Sequence, residues 1–160
     1  MEEQKEFGEN SFSITELNLT KFNEKYYKIH SPYFRDLFYD YIKKITIKQT
    51  GLASKNIIFY LQLDQKCANP FNIAHGGALV SLIENLSTAS LFYFSNSHYK
   101  TLDLNINYKN QVELDQIIIL EIAFNKIGNA TTFLEAEMKK VDNTVCVHAS
   151  LIKTKIKANF

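Results

Sequence analysis

The sequence predicts an α+β domain in which an antiparallel sheet packs on one long helix. Three observations carry this. In the stretch 69–94, NPFNIAHGGALVSLIENLSTASLFYF, apolar residues recur at Ala78, Leu79, Leu82, Ile83, Leu86, Ala89 and Tyr93, the rhythm of a helix burying one face. Segments on both sides of it alternate with period two, as half-buried strands do. The last four of these follow one another without intervening helices, which fits an antiparallel sheet better than a βαβ arrangement.

Taken in order, residues 1–11 read as a polar arm, and 12–29 as one or two short helical turns around Leu17, Leu19, Phe22, Tyr26 and Tyr27. Ser31-Pro32 has the form of an N-cap followed by proline at the first helical position, so a helix is expected over about 32–43. Its stripe of Tyr33, Phe34, Leu37, Phe38, Tyr41 and Ile42 suits core or an intersubunit cover. Ile45 and Ile47 begin a first strand, Gly51 turns the chain, and Ile57, Phe59, Leu61 and Leu63 make a second. After the long helix come a polar connection at 95–100 and a third strand with Leu102, Leu104, Ile106 and Tyr108 on one face. Ile117 to Phe124 is a continuous apolar run typical of a sheet centre. Gly128-Asn129 and Asp142-Asn143 are turn signals that separate a fifth strand, Thr131 to Lys139, and a sixth, Val145 to Lys155. The expected division is an N-terminal arm and helix over 1–44 and a single sheet-and-helix domain over 45–160.

Composition excludes more than it assigns. A chain of 160 residues with 46% hydrophobic and 22% charged residues can build one ordinary core. Its net charge of +1 gives no case for nucleic acid or a charged membrane surface. The stretch 78–94 is broken by Ser, Glu, Asn and Thr, so no membrane span is expected. The acidic start MEEQKEFGEN has no apolar core of a secretory signal, and Cys67 and Cys146 form no CxxC. An intracellular location is expected, the cytoplasm favoured, with mitochondria or another organelle left open. His30, His75, His98 and His148 show no ligand spacing, so no metal is expected. Neither a GxSxG elbow nor a phosphate-binding GxxxxGK[ST] loop is present.

The chemistry concentrates in 69–94. A helix N-terminus carries unpaired N–H groups and partial positive charge. Gly76 and Gly77 let a substrate approach that backbone closely, and about two turns on stands a lone carboxylate, Glu84. An electrophile-activating helix start with a carboxylate on the same helix suits reaction at a carbonyl. The bland alternatives are a tightly packed glycine entry and a solvated helix glutamate.

The ordered set Asn69, His75-Gly76-Gly77, Glu84-Asn85, Ser87-Thr88, followed by the strand TLDLNINY from Thr101 to Tyr108, resembles the short hotdog acyl-CoA thioesterases of the phenylacetyl-CoA and acyl-CoA thioesterase 13 type. Their pattern is N-x(5)-HGG-x(6)-[DE]-N-x-ST, and the resemblance covers about residues 45–155. Three positions depart from it. Glu84 stands where the eukaryotic relatives usually have Asp, Asn72 where the family often has Gly, and Thr101 where Ser is common. The stretch 1–44 is longer than the short members need.

The resemblance implies a hotdog fold with an N-terminal helical extension, and hydrolysis of acyl-CoA to free acid and CoA. It implies that the Gly76 N–H polarises the thioester carbonyl and that Glu84, from the partner subunit, acts as base or nucleophile. Asn69 and Thr101 would bond the water or the carboxylate, and His75 would orient the loop or assist the carbonyl. Substrate and CoA contacts are expected from Gly77, Ser87, Asp103, Tyr108, Lys109, Lys126, Gly128, Asn129 and Lys153, the lysines serving the CoA phosphates at the cleft mouth. No cofactor is implied beyond CoA itself, and the assembly would be a homodimer or dimer of dimers. The alternatives are a non-catalytic acyl-CoA binder and a 3-hydroxyacyl dehydratase or hydratase. The latter lacks the separate histidine loop it would need.

Overall fold

The computed structural model describes residues 12–27, 39–50 and 54–156. Seven strands and two α-helices follow the order β1 (Phe12–Glu16), α1 (Leu19–Tyr27), β2 (Ile42–Thr50), β3 (Ser54–Gln62), α2 (Gly76–Ser95), β4 (Tyr99–Tyr108), β5 (Ile117–Ile127), β6 (Thr131–Lys140) and β7 (Val145–Lys155). All seven strands form one antiparallel sheet in the order β1-β2-β3-β5-β6-β7-β4. The jump from β3 to β5 is the space that α2 and β4 take up in sequence. β4 returns to the far edge beside β7.

The strands curve over α2 because their inward positions are apolar and their outward ones polar. Ile57, Phe59 and Leu61 on β3, Leu120 and Ile122 on β5, Leu134, Ala136 and Met138 on β6, and Val147, Ala149 and Leu151 on β7 all face the core. Against them α2 buries Leu79, Leu82, Ile83, Leu86, Ala89 and Leu91. Each large aliphatic side chain buried this way contributes about 1.5–3 kcal/mol. The helix starts at His75, whose Nδ1 accepts from the Gly77 N–H at 2.9 Å. It stops at Asn96, in the left-handed region at φ 51°, whose N–H returns to the Phe92 carbonyl at 2.8 Å.

Three local expectations need correction. Residues 12–16, expected as part of a helical turn, form the edge strand β1 on β2, because Phe-Ser-Ile-Thr-Glu alternates and finds a ladder to join. Of the helix expected over 32–43, residues 32–38 lie outside the described residues. Tyr39–Tyr41 is a single 3₁₀ turn and Ile42 already belongs to β2. On β4 the supposed inward stripe is broken: Leu102 and Tyr108 are 58% and 54% exposed. A bulge between Thr101 and Asp103 lets Tyr99 and Thr101 face inward together with Leu104 and Ile106, which have the opposite parity. The described part of the stretch before residue 44 is joined to the sheet and helix. Phe22 of α1 is 1% exposed, stacked edge-on to Phe59 and tilted against Tyr93, each with ring centroids 5.6 Å apart.

Candidate active site

The entry to α2 is a tightly hydrogen-bonded loop. The Asn69 carboxamide oxygen accepts from the N–H groups of Phe71 and Ile73 at 2.9 and 3.3 Å, and the Asn69 N–H donates to the Ile73 carbonyl at 2.8 Å. Asn72 takes φ 58° and its side chain is gripped by Gln65. Asparagine tolerates that left-handed turn better than most residues. His75 N–H donates to the Cys67 carbonyl at 2.7 Å, and Ala74 N–H to the Val112 carbonyl at 2.9 Å. Asn69 and His75 therefore shape the turn, and neither meets Glu84 of the same chain. The next N–H, that of Gly76, finds no acceptor among the described residues.

That open N–H borders a cleft of ≈ 430 Å³ lined by Ile73, Gly76, Gly77, Tyr108, Lys109 and Gln111 among others. Tyr108 donates its hydroxyl proton to the Gly76 carbonyl at 3.0 Å. Burial pushes its phenol above the usual tyrosine range, so it stays a donor. A Cβ at Gly76 would lie 3.1 Å from the Tyr108 hydroxyl, so glycine is what lets this ring close over the helix start. Below the cleft, Ile73 bridges to Glu113, whose carboxylate Lys140 holds at 2.8 Å.

A second cluster forms farther along α2. The Glu84 Oε1 accepts from Lys153 Nζ at 3.0 Å and from the Thr101 hydroxyl. The ammonium also donates to Thr101 Oγ1 at 2.8 Å and to Thr88 Oγ1 at 2.7 Å, with the Glu84 carbonyl at 3.3 Å. Thr88 passes its own proton to the Glu84 carbonyl at 2.9 Å. Glu84 Oε2 is buried and has no hydrogen-bond partner among the described residues. Burial pulls the Lys153 ammonium below the usual lysine range, while Glu84 pulls it the other way.

The sequence-predicted residues thus separate into groups. Gly76, Gly77, Tyr108 and Lys109 share the cleft. Glu84 and Thr101 share the inner cluster. Two expectations are overturned by burial. Ser87 is fully buried and spends its hydroxyl on the Glu84 carbonyl, so it presents nothing to a substrate. Lys153, expected among the cations for CoA phosphates, is 0% exposed and turned inward to Glu84. Its strand neighbours on that face are Val147, Ala149 and Leu151, so period two from those residues would have pointed to an inward lysine. Thr88, one helical turn after Glu84, was the other member missed. Asp103 is exposed on β4, and Gly128-Asn129 form the turn between β5 and β6. A Cβ at Gly128 would come within 2.5 Å of the Thr131 carbonyl oxygen, so that glycine is required by the turn itself. The backbone of Lys126 pairs with Phe133, while its side chain lies outside the described set. None of these last four lines the cleft. Among the described residues no cluster of His, Cys, Asp and Glu could hold a metal, and no helix is long and apolar enough to cross a membrane.

Comparison with known proteins bears on the fold. Residues 71–147 match the thioesterase superfamily. The chain is 22% identical over 98 residues to the human acyl-coenzyme A thioesterase THEM5, covering 55% of this chain and 39% of that one. It thus spans less than half of that relative's length. Thioesterase superfamily member 2 from zebra fish superposes with TM-score 0.69 at 17% identity, over 86% of this chain and 98% of that one. A hypothetical thioesterase from Streptococcus pneumoniae, solved with coenzyme A, gives TM-score 0.65 at 16% identity, over 79% and 97%. The thioesterase-superfamily resemblance and the hotdog fold read from the sequence are both shown by these matches.

Proposed function

We propose that this hotdog chain hydrolyses acyl-CoA thioesters to a free acid and CoA, as a homodimer. The observation that carries the proposal is the pairing of an unclaimed Gly76 N–H at a helix start with a glutamate held by one oxygen only. The Gly76 N–H, backed by the helix dipole, receives the negative charge that grows on the thioester oxygen. Glu84 takes a proton from water as the water oxygen bonds the carbonyl carbon. The C–S bond then breaks, and the departing thiolate recovers the proton. Direct attack by Glu84, followed by hydrolysis of the anhydride, balances equally well.

Within one chain the two groups are eight residues apart, or about 12 Å along the helix axis. That is too far for both to reach one carbonyl, so each site takes its glutamate from the partner subunit. The free edge of β4, ten residues long and carrying Thr101, offers the backbone for such a pairing. The outer sheet face, where Phe133 stays 43% exposed, would serve a dimer of dimers. Lys109, at the cleft, is the cation best placed for the CoA phosphates. The likeness to the human acyl-coenzyme A thioesterase supports the substrate class.

The test is thiol release across acyl-CoA substrates of graded chain length, including aromatic acyl groups, with Glu84→Gln beside the wild type. Release by the wild type, lost in the variant, is the expected result. Binding of intact acyl-CoA with no thiol released from any substrate would overturn the hydrolase and leave a binder.

A further inference from the structure

We propose that Lys153 is the positioning residue of this site: its buried ammonium holds Glu84 by Oε1, reserving Oε2 for the reaction. The proposal rests on the thioesterase reading for its purpose, though not for its geometry.

The donor count shows how the cluster is wired. Thr88 spends its one hydroxyl proton on the Glu84 carbonyl, and Thr101 spends its own on Glu84 Oε1. Both hydroxyl oxygens must therefore accept from Lys153, which also reaches Glu84 Oε1. These three side-chain acceptors call for three N–H groups, which only the charged –NH₃⁺ form supplies, and the Glu84 carbonyl at 3.3 Å is a fourth, longer contact. The ammonium in turn finds Glu84 on α2, Thr88 one turn later and Thr101 on β4. On β6, Thr132 stands opposite it in register, with a buried hydroxyl that meets no partner among the described residues. Glu84 is the one charged group that meets Lys153 among the described residues.

Stability does not call for a lysine here. The same face of β7 is otherwise Val147, Ala149 and Leu151, and apolar residues of similar volume commonly replace buried ion pairs at no loss of stability. What the lysine adds is asymmetry. One carboxylate oxygen has two donors, and the other, itself buried, has none among the described residues. An unpaired buried oxygen is costly, and here it is the basic atom left over, which a small rotation of the carboxylate, on a side chain one-third exposed, presents to water or the acyl carbon. The β4 bulge that turns Thr101 inward completes the clamp.

The test uses Lys153→Met in the full chain, with the Glu84 carboxyl carbon followed by NMR titration and assigned by its loss in Glu84→Gln. The expected result is a Glu84 midpoint at least about one pH unit higher than in the wild type, a tenfold change in proton affinity. With it, kcat falls by roughly tenfold or more with KM little changed, and the acid limb of the kcat/KM profile moves up in step. Ethylammonium added to Lys153→Ala restores part of the lost rate, whereas tetramethylammonium, which has no N–H, does not. A folded Lys153→Met protein whose Glu84 titrates as in the wild type overturns the proposal. If Lys153→Met does not fold, the pair Lys153→Met/Glu84→Gln decides: recovery of folding supports the coupling, and continued failure makes Lys153 a packing residue. A wild type that releases no thiol while its Glu84 midpoint still depends on Lys153 sinks the hydrolase and leaves the clamp standing.

Discussion

At its start α2 offers a backbone N–H on an open cleft; at its middle it offers a carboxylate wired into side chains from two strands. The start is shaped by residues close in sequence: Asn69 caps its own turn, Asn72 supplies the left-handed step, and His75 caps the helix. The middle gathers Glu84, Thr88, Thr101 and Lys153, which span 69 residues of chain. A backbone donor survives most side-chain substitutions nearby, whereas a carboxylate held by two donors depends on each of them. The two halves should therefore respond differently to mutation.

The largest effect is expected at Glu84. Glu84→Gln keeps the size of the side chain and removes its basicity, so thiol release should drop by about 10²–10⁴-fold while the circular dichroism spectrum is unchanged. A drop of less than tenfold would move the chemistry away from the middle of α2. Next comes Thr101→Val, which strips one donor from Glu84 Oε1 and one acceptor from Lys153. Hydrogen bonds to charged groups are worth about 1.5–3 kcal/mol, so kcat should fall by roughly ten- to a hundredfold. A loss confined to KM would argue that Thr101 serves binding.

At the helix start the same scale of damage is not expected. His75→Ala removes the cap on the Gly77 N–H and should cost about 1 kcal/mol in thermal or urea unfolding. Its activity loss should be far smaller than that of Glu84→Gln. Equal losses would mean that the imidazole, and not the backbone alone, acts on the carbonyl. The smallest effect is expected at Glu113, under the cleft. The hydrogen bond from Lys140 holds its carboxyl below the usual glutamate range. A carboxyl lowered in the folded state adds stability that is present above its unfolded value, about 4.3, and is lost as the pH falls through its folded value. Urea midpoints of wild type and Glu113→Gln should thus differ slightly at neutral pH and converge in acid. High salt should shrink the neutral-pH gap, since the pair is partly exposed. A gap that persists in acid would assign Glu113 a role other than its ion pair.

The two regions were also unequally legible. The helix, its glycine entry and the turns at Gly128-Asn129 and Asp142-Asn143 announce themselves through local rules: periodicity, capping and left-handed turns. Lys153 did not, although it sits in a clean alternating strand, because lysine so seldom goes inside that it was assigned to the surface. Ser87 misled in the same way, since a small hydroxyl on a helix can return to its own backbone and be buried. β1 was missed because five residues of mild alternation become a strand only when β2 offers a ladder.

By itself the sequence determined the antiparallel α+β class, the long central helix, the open glycine N–H at its start and the lone carboxylate two turns on, because all of these follow from residues within one or two turns of each other. Only the tertiary structure decided which way β4 faces, through a one-residue bulge that reverses the inward parity and swings Thr101 toward Glu84. It alone decided that Lys153 meets that carboxylate, since the meeting depends on the register of β7 against β4 and on the curl of the sheet over α2. A one-residue slip in either strand would carry that strand's member of the cluster to the opposite face.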